Sequence, residues 1–249
     1  MSKLNHAWVM AALDQSDNER SKITEREKEL YGASSIRQRC FINNLCAAGK
    51  INYLEVGVSR GATIISAVMG NDCKAVGIDH FKYDDRDPNK WAPDGHIHYN
   101  VESQLKANIE RYDSHPETKI PGAISIEQVS FENADFKKMP KFDVCHFDVS
   151  PVNQKVYDDF FDNVLPAMTQ ECVVVFTSQS NAQHAEELNK SIIRHQDKFT
   201  IQYSEIRVSG GLSDATKYYS GIRVIGFKKK TIPVKVASKT TVPVKKSVK

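Results

Sequence analysis

The sequence predicts an α/β protein: a Rossmann-like, seven-stranded, mostly parallel sheet with an antiparallel last strand and helices on both faces. Three observations carry the prediction. Strand-like runs alternate with helix-like periodic stretches from about residue 51 to residue 195. ECVVVFT (171–177) is a short apolar run, as expected of a strand covered on both faces. Two strand-like runs then close the domain, FTIQYSEIRV (199–208) and KYYSGIRVIGFK (217–228), with a Gly/Ser/Asp loop and no helix between them. A connection that short joins antiparallel partners.

Each element has its own signal. Residues 1–33 are polar and mixed in charge and read as an N-terminal helical extension, with a helix predicted over SKITEREKEL (21–30). SSIRQRCFINNLCAAG (34–49) predicts a better helix. Ser34 or Ser35 can cap it, Ile36, Cys40, Phe41 and Leu45 form one apolar face, and Gly49 can end it. INYLEV (51–56) is a strand, GATIISAVMG (61–70) a helix and CKAVGID (73–79) a strand. An irregular polar stretch spans 80–100, and VESQLKANIERY (101–112) is a helix. AISIEQVSF (123–131) and KFDVCHFD (141–148) are strands. NQKVYDDFFDNVLPAM (153–168) and NAQHAEELNKSIIRH (181–195) are helices on either side of the apolar strand. The α/β domain is therefore expected at 34–228 and a Lys-rich disordered tail at 229–249.

Composition narrows the function classes. The chain has 249 residues, 40% hydrophobic and 26% charged, enough for one substantial core. No apolar run approaches the roughly 20 residues of a membrane span. The N-terminus lacks the apolar segment of a secretory signal, so a cytoplasmic protein is expected. Five cysteines, never spaced CxxC, read as reduced core thiols and not as disulfides or a zinc site. The formal charge of +3 misleads, because residues 228–249 hold eight lysines and no acid; without them it falls to −5. Such a tail attracts anions or nucleic acid nonspecifically. The folded part shows no basic pattern, and homo-oligomerisation stays open.

The chemistry begins at YLEVGVSRGATIISAVMGN (53–71). Glu55, Gly57 and Gly61 stand at the carboxyl end of the first strand, where open α/β sheets bind ligands. Gly57 lets the chain turn, Gly61 opens the helix, and the helix start offers N–H groups to an anion. The spacing E-x-G-x-x-x-G departs from the dinucleotide G-x-G-x-x-G. Asp79 ends the second strand, roughly 20 residues on, where an acid suits ribose hydroxyls. In the 80–100 loop, Tyr83, Trp91 and Tyr99 fit a lid or acceptor pocket. His96 and His98 lack the carboxylates a metal site needs.

With AVGIDHF after it, this stretch resembles motif I and the second-strand acid of class I S-adenosylmethionine-dependent methyltransferases, over about residues 34–228. The resemblance is greatest to small methyltransferase-like proteins of bacteria and their phages, distantly similar to macrolide-sugar O-methyltransferases; YYSGIRVIGFK adds to it. It implies that Glu55, Gly57 and Gly61 hold the methionine end of S-adenosylmethionine and that Asp79 takes the ribose. His80 or Phe81 would lie against the adenine, and Ser130 and Phe131 would border its edge. Metal-dependent relatives have D-G-x-H after the fourth strand and consecutive acids after the fifth. Here Asp148-Val149-Ser150-Pro151 and Phe176-Thr177-Ser178-Gln179 leave one carboxylate, so no tightly bound metal is expected. Asp148 would stand near the transferring methyl. His146, two positions earlier on the same side of its strand, would be the general base. The implied reaction is methyl transfer to a small acceptor, at oxygen. The alternative is a degenerate module that keeps the fold for binding or assembly.

Overall fold

The computed structural model describes residues 3–82, 101–116, 118–149, 153–208, 218 and 220–230. Seven strands, β1 (Ile51–Val56), β2 (Cys73–Ile78), β3 (Ile124–Glu127), β4 (Phe142–Phe147), β5 (Met168–Phe176), β6 (Phe199–Arg207) and β7 (Ile222–Lys229), form one sheet in the order β3-β2-β1-β4-β5-β7-β6. Pairings among β1 to β5 are parallel, and β7 runs antiparallel to both β5 and β6. This is the predicted mostly parallel sheet with a reversed last strand.

Among the described residues seven α-helices accompany it: α1 (His6–Asp17), α2 (Glu25–Lys28), α3 (Ile36–Leu45), α4 (Ala62–Val68), α5 (Val101–Asp113), α6 (Gln154–Asp159) and α7 (Ala182–Arg194). Strand alternation divides the core in two. On one face Tyr53, Val144, Val173 and Val175 pack with Leu13 of α1, Phe41 and Leu45 of α3 and Ile64 of α4. On the other, Leu54, Cys145, Phe147, Val174 and Phe176 pack with Tyr157, Phe160, Phe161 and Leu188. Helix α3 is buried all round from Gln38 to Leu45, not along one stripe, because α1 covers its outer side. All five cysteines are free and buried, as their scatter implied.

Several predicted elements change. Helix α1 falls in the expected N-terminal helical extension, though no helix had been placed at its residues. Its buried stripe Val9, Ala12, Leu13 and Ser16 has helical spacing but ends in a serine, which weakened the pattern. Asn5 caps it by accepting the Trp8 N–H at 3.0 Å. The helix expected over 21–30 contracts to Glu25–Lys28. Its carbonyls are taken elsewhere: the Arg39 guanidinium donates to the carbonyls of Glu27 (3.1 Å), Lys28 (3.1 Å), Leu30 (2.6 Å) and Ser34 (3.1 Å). The helix expected over 153–168 breaks into α6, a π-turn at Phe160–Val164 and a 3₁₀ turn at Leu165–Ala167. Pro166 has no N–H to continue the ladder, and the wider π-turn buries Phe160, Phe161 and Val164 together. Strand β3 keeps only four of the nine expected residues, because the chain turns at Gln128 to reach the 3₁₀ turn at Phe131–Asn133.

The N-terminal segment is tied across the sheet. Tyr203 of β6 donates its hydroxyl to the Leu4 carbonyl at 2.9 Å, and its ring lies on Gly226, where a Cβ would come within 2.4 Å of it. Trp8 donates its indole N–H to the Leu45 carbonyl at 3.3 Å. Arg39 is 4% exposed and spends its donors on these carbonyls and the Ser34 hydroxyl, and burial lowers its pKa to about 10. Replacing it would leave several buried carbonyls without donors. We expect Arg39→Met to destabilise the fold by about 3 kcal/mol in urea unfolding. Trypsin should then cut at Arg26 or Lys28 faster than in the parent protein.

Candidate active site

Strand β1 pairs with β2 on one side and β4 on the other, so the chain changes direction across β1. Crevices for ligands open at such a switch point, beyond the carboxyl ends of the strands. The turn after β1 is built there from backbone chemistry. Gly57 has φ +89°, Ser59 φ +50° and Gly61 φ +85°, three left-handed residues in five. The Gly57 N–H donates to Ile78 at 2.9 Å, and the Gly61 N–H to Val58 at 3.0 Å. A Cβ on Gly57 would lie 1.8 Å from the Asp148 carbonyl oxygen. Gly57 is therefore glycine for two reasons, its backbone angle and the contact with the end of β4. A Cβ on Gly61 would meet Leu105 of α5 at 2.5 Å.

Asp79 closes the turn from the side. One carboxylate oxygen accepts the N–H groups of Val58 (2.9 Å) and Ser59 (2.8 Å), and the other that of Phe81 (2.8 Å). Both oxygens that were expected to face a ribose thus hold protein backbone. Arg60 extends the arrangement: its guanidinium lies 4.6 Å over the Tyr31 ring and donates to Gln104, and its carbonyl accepts from Asn108 at 2.9 Å. Turn, N-terminal segment and α5 meet on this one arginine.

Beyond the ends of β2 and β3 lies an open cleft of about 550 Å³, lined by His80, Lys82, Gln128, Val129, Ser130 and Asn133. It brings together two expected adenine neighbours, His80 and Ser130. The other two lie elsewhere. Phe131 is in the core, edge-on to Phe147 at 5.3 Å between centroids, which is the ordinary place for an apolar ring. Phe81, half-buried with φ +51°, packs against the core of the opposite face.

Beneath the turn is a buried polar chain that spacing alone did not reveal. Glu55 is 1% exposed and accepts the Tyr53 hydroxyl at 2.6 Å. His146, 0% exposed, is its partner across β1 and β4, with Nδ1 3.7 Å from the carboxylate. Gln38 of α3 meets His146 Nε2 at 3.1 Å. The structure does not present His146 as the general base expected of it: the side chain is fully buried, with Nδ1 toward Glu55 and Nε2 toward Gln38. Tyr53 and Glu55 are two apart and share a strand face, so period two could have flagged that pair. Gln38 carried no local signal.

At the end of β4, Asp148 accepts the Thr177 hydroxyl at 2.6 Å. Thr177, at the end of β5, was noted in sequence only as a missing acid. Nearby, Gln179 donates to the Tyr157 hydroxyl at 2.9 Å. Among the described residues no group of three or more His, Cys, Asp or Glu could hold a metal ion. No helix among them is long and apolar enough to cross a membrane. Tyr83, Trp91, His96, His98, Tyr99, Ser150, Pro151 and the tail beyond Lys230, for which the sequence raised expectations, lie outside the described residues.

No protein-family model and no curated protein matches the chain. Solved structures do. TrmN from Thermus thermophilus aligns with TM-score 0.54 and 12% identity over 82% of this chain, which spans about half of that one (52%). Cofactor-bound Rv0187 from MTB aligns with TM-score 0.52 and 12% identity over 89% of both chains. An O-methyltransferase from Bacillus cereus in complex with SAH gives TM-score 0.51 and 12% identity over 90% of this chain and 92% of that one. The chain has the Rossmann-like class I methyltransferase fold.

The three bonds to Asp79 predict its mutants. Asp79→Ala should cost about 3 kcal/mol in chemical unfolding, because it releases buried N–H groups bonded to a charge. Asp79→Asn, which keeps one oxygen for Val58 and Ser59, should lose less. Equal, negligible losses in both would show that the turn stands without the carboxylate.

Proposed function

We propose that this chain transfers a methyl group from S-adenosylmethionine to a small acceptor, at oxygen, without a tightly bound metal. The observation that carries the proposal is the placement of two strand-end carboxylates, Glu55 and Asp79, around a left-handed glycine turn at the switch point of the sheet. The residues fit the cofactor. The cleft of about 550 Å³ suits a nucleoside-sized group. His80, Gln128, Ser130 and Asn133 give it polar edges for a base. Glu55 offers negative charge to an ammonium, and the turn lies between the two. The neighbours include one cofactor-bound protein and one holding SAH, which supports the same ligand here.

The cofactor, when bound, supplies an activated methyl group and a thioether leaving group. The chain has to align and exclude. Gly57 keeps the end of β4 in contact with the turn, which supports a place for Asp148 beside the methionine end. The Thr177 hydroxyl fixes the Asp148 carboxylate through a short bond and leaves its remaining lone pairs for an acceptor hydroxyl. In-line displacement needs little more than donor and acceptor held in a near-attack geometry. A lone carboxylate capped by a hydroxyl is a poor site for a hard dication. The Lys-rich tail would add a salt-sensitive attraction for anions.

Two observations favour a second reading, a degenerate binding or assembly module. Leu105 stands against the open side of Gly61, and Asp79 is occupied by the turn. Calorimetry separates the two. We expect S-adenosylmethionine and S-adenosylhomocysteine to bind in the micromolar range, and Ser130→Trp, which fills the cleft, to weaken both at least tenfold. A folded protein that binds neither supports the degenerate module. A separate titration addresses the metal: micromolar Mn²⁺ binding that disappears in Asp148→Asn would overturn the metal-free part.

A further inference from the structure

The buried chain Tyr53–Glu55–His146–Gln38 has no part in the proposed alignment of an acceptor, yet it joins three titratable groups in the low-dielectric interior. Within it the Nδ1 of His146 and the Oε1 of Gln38 lack hydrogen-bond partners. Buried polar atoms in native cores are rarely left so, and each one calls for an explanation. From β1, Tyr53 and Glu55 face His146; from its own strand comes Asp148, and from α3 the neutral Gln38. Cys46 at the end of α3 and Cys145 on β4 also feel Glu55, and burial keeps both thiols protonated.

Burial pushes the Glu55 carboxyl up, with His146 and Tyr53 offsetting part of the rise. Burial alone would lower the His146 imidazole, but Glu55 and then Asp148 outweigh it and hold it above its ordinary value. Both partners lean toward keeping a proton, as a coupled acid–base pair sharing one proton does. Gln38 can serve either state. Its amide donates to Nε2 of a neutral imidazole or, turned over, accepts from the N–H of an imidazolium. In either orientation one amide atom stays unmatched, which accounts for the orphan.

We infer that His146 stands in for the ligand's ammonium group: in the free protein it holds the proton that neutralises Glu55, and ligand binding expels that proton. The inference rests on the reading that Glu55 receives the methionine end of S-adenosylmethionine. Electroneutrality gives the reason. A buried carboxylate without a counter-charge is costly, so the free protein needs the shared proton. Once an ammonium pairs with Glu55, a second cation on His146 would be an unmatched buried charge. The proton leaves to solvent and the imidazole becomes neutral. His146 is thus a positioning residue that acts through Glu55 and touches no reacting atom.

The test is a proton count. S-adenosylhomocysteine is titrated into the full chain by calorimetry at pH 6.5, in buffers of different ionisation enthalpy. The ligand's own amine is already charged at this pH. We expect release of about one proton per ligand bound, and affinity that rises as much as tenfold per pH unit until the pair has titrated. The imidazole nitrogen shifts of His146 should move from the imidazolium to the neutral range on saturation, and Glu55→Gln, which removes the charge the proton neutralises, should bind more weakly with release near zero. Binding by the parent protein without proton release overturns the inference and leaves the cofactor reading standing. Imidazole shifts that do not move on saturation, or unchanged release in Glu55→Gln, overturn it too. No binding at any pH sinks the cofactor reading itself. The count on the parent protein decides even if the variant does not fold.

Discussion

A single carboxylate holds the site together. Asp79, at the end of β2, accepts two N–H groups from the turn after β1 and one from the chain just beyond itself. Those amides sit in a stretch where a serine and two glycines take left-handed angles, a geometry that does not persist unless its surroundings fix it. Bonds from backbone N–H to a charged oxygen are among the stronger ones a protein makes. The position of α4 follows, since the turn delivers it, and so does the contact between Gly57 and the end of β4. The acid usually read as a ligand contact is here a structural staple first. Loss of ligand binding in an Asp79 mutant would therefore not identify a ribose contact.

The N-terminal segment belongs to the same construction. Arg39 of α3 gathers the carbonyls of residues 27–34 around one buried guanidinium. That organised loop presents Gly32 to the first residue of α4, where a Cβ would stand 2.7 Å from the Cβ of Ala62. It also presents Tyr31 to Arg60 of the turn. A segment that looks like a polar extension thus reaches the site through two contacts, one of packing and one of cation on ring. A change in residues 27–34 reaches the turn through Arg60 without touching a strand.

The legible and illegible parts of the sequence divide by range. Strands β1, β2, β4 and β5 were readable because each is a short apolar run bounded by turn residues, and their order followed from βαβ alternation. The turn was readable because left-handed backbone needs glycine; Ser59, equally left-handed, left no such trace. Helix α2 was misjudged because good helix formers were set against a long-range claim on their carbonyls by Arg39. Phe131 was misjudged because position after a strand does not say which way a ring turns, and the core offered Phe147. His146 looked like a base by spacing from Asp148. Only tertiary pairing with Glu55 and Gln38 shows both nitrogens enclosed.

The two carboxylates on either side of the turn's base are treated differently, and the contrast bears on the chemistry. Glu55 is buried among polar side chains that can offset its charge. Asp148, partly exposed, has a neutral hydroxyl where metal-binding relatives would have a second acid. A second carboxylate there would need a cation to relieve the repulsion, and the site would then depend on a metal. Thr177 removes that need and still fixes the geometry, because a hydroxyl donates where a carboxylate can only accept. With the charge at the end of β4 kept to one, an acceptor hydroxyl of the proposed reaction would meet a carboxylate that can take its hydrogen bond directly. The substitution that looks like decay against the metal-dependent pattern is, in this structure, consistent with transfer that relies on alignment instead of a Lewis acid.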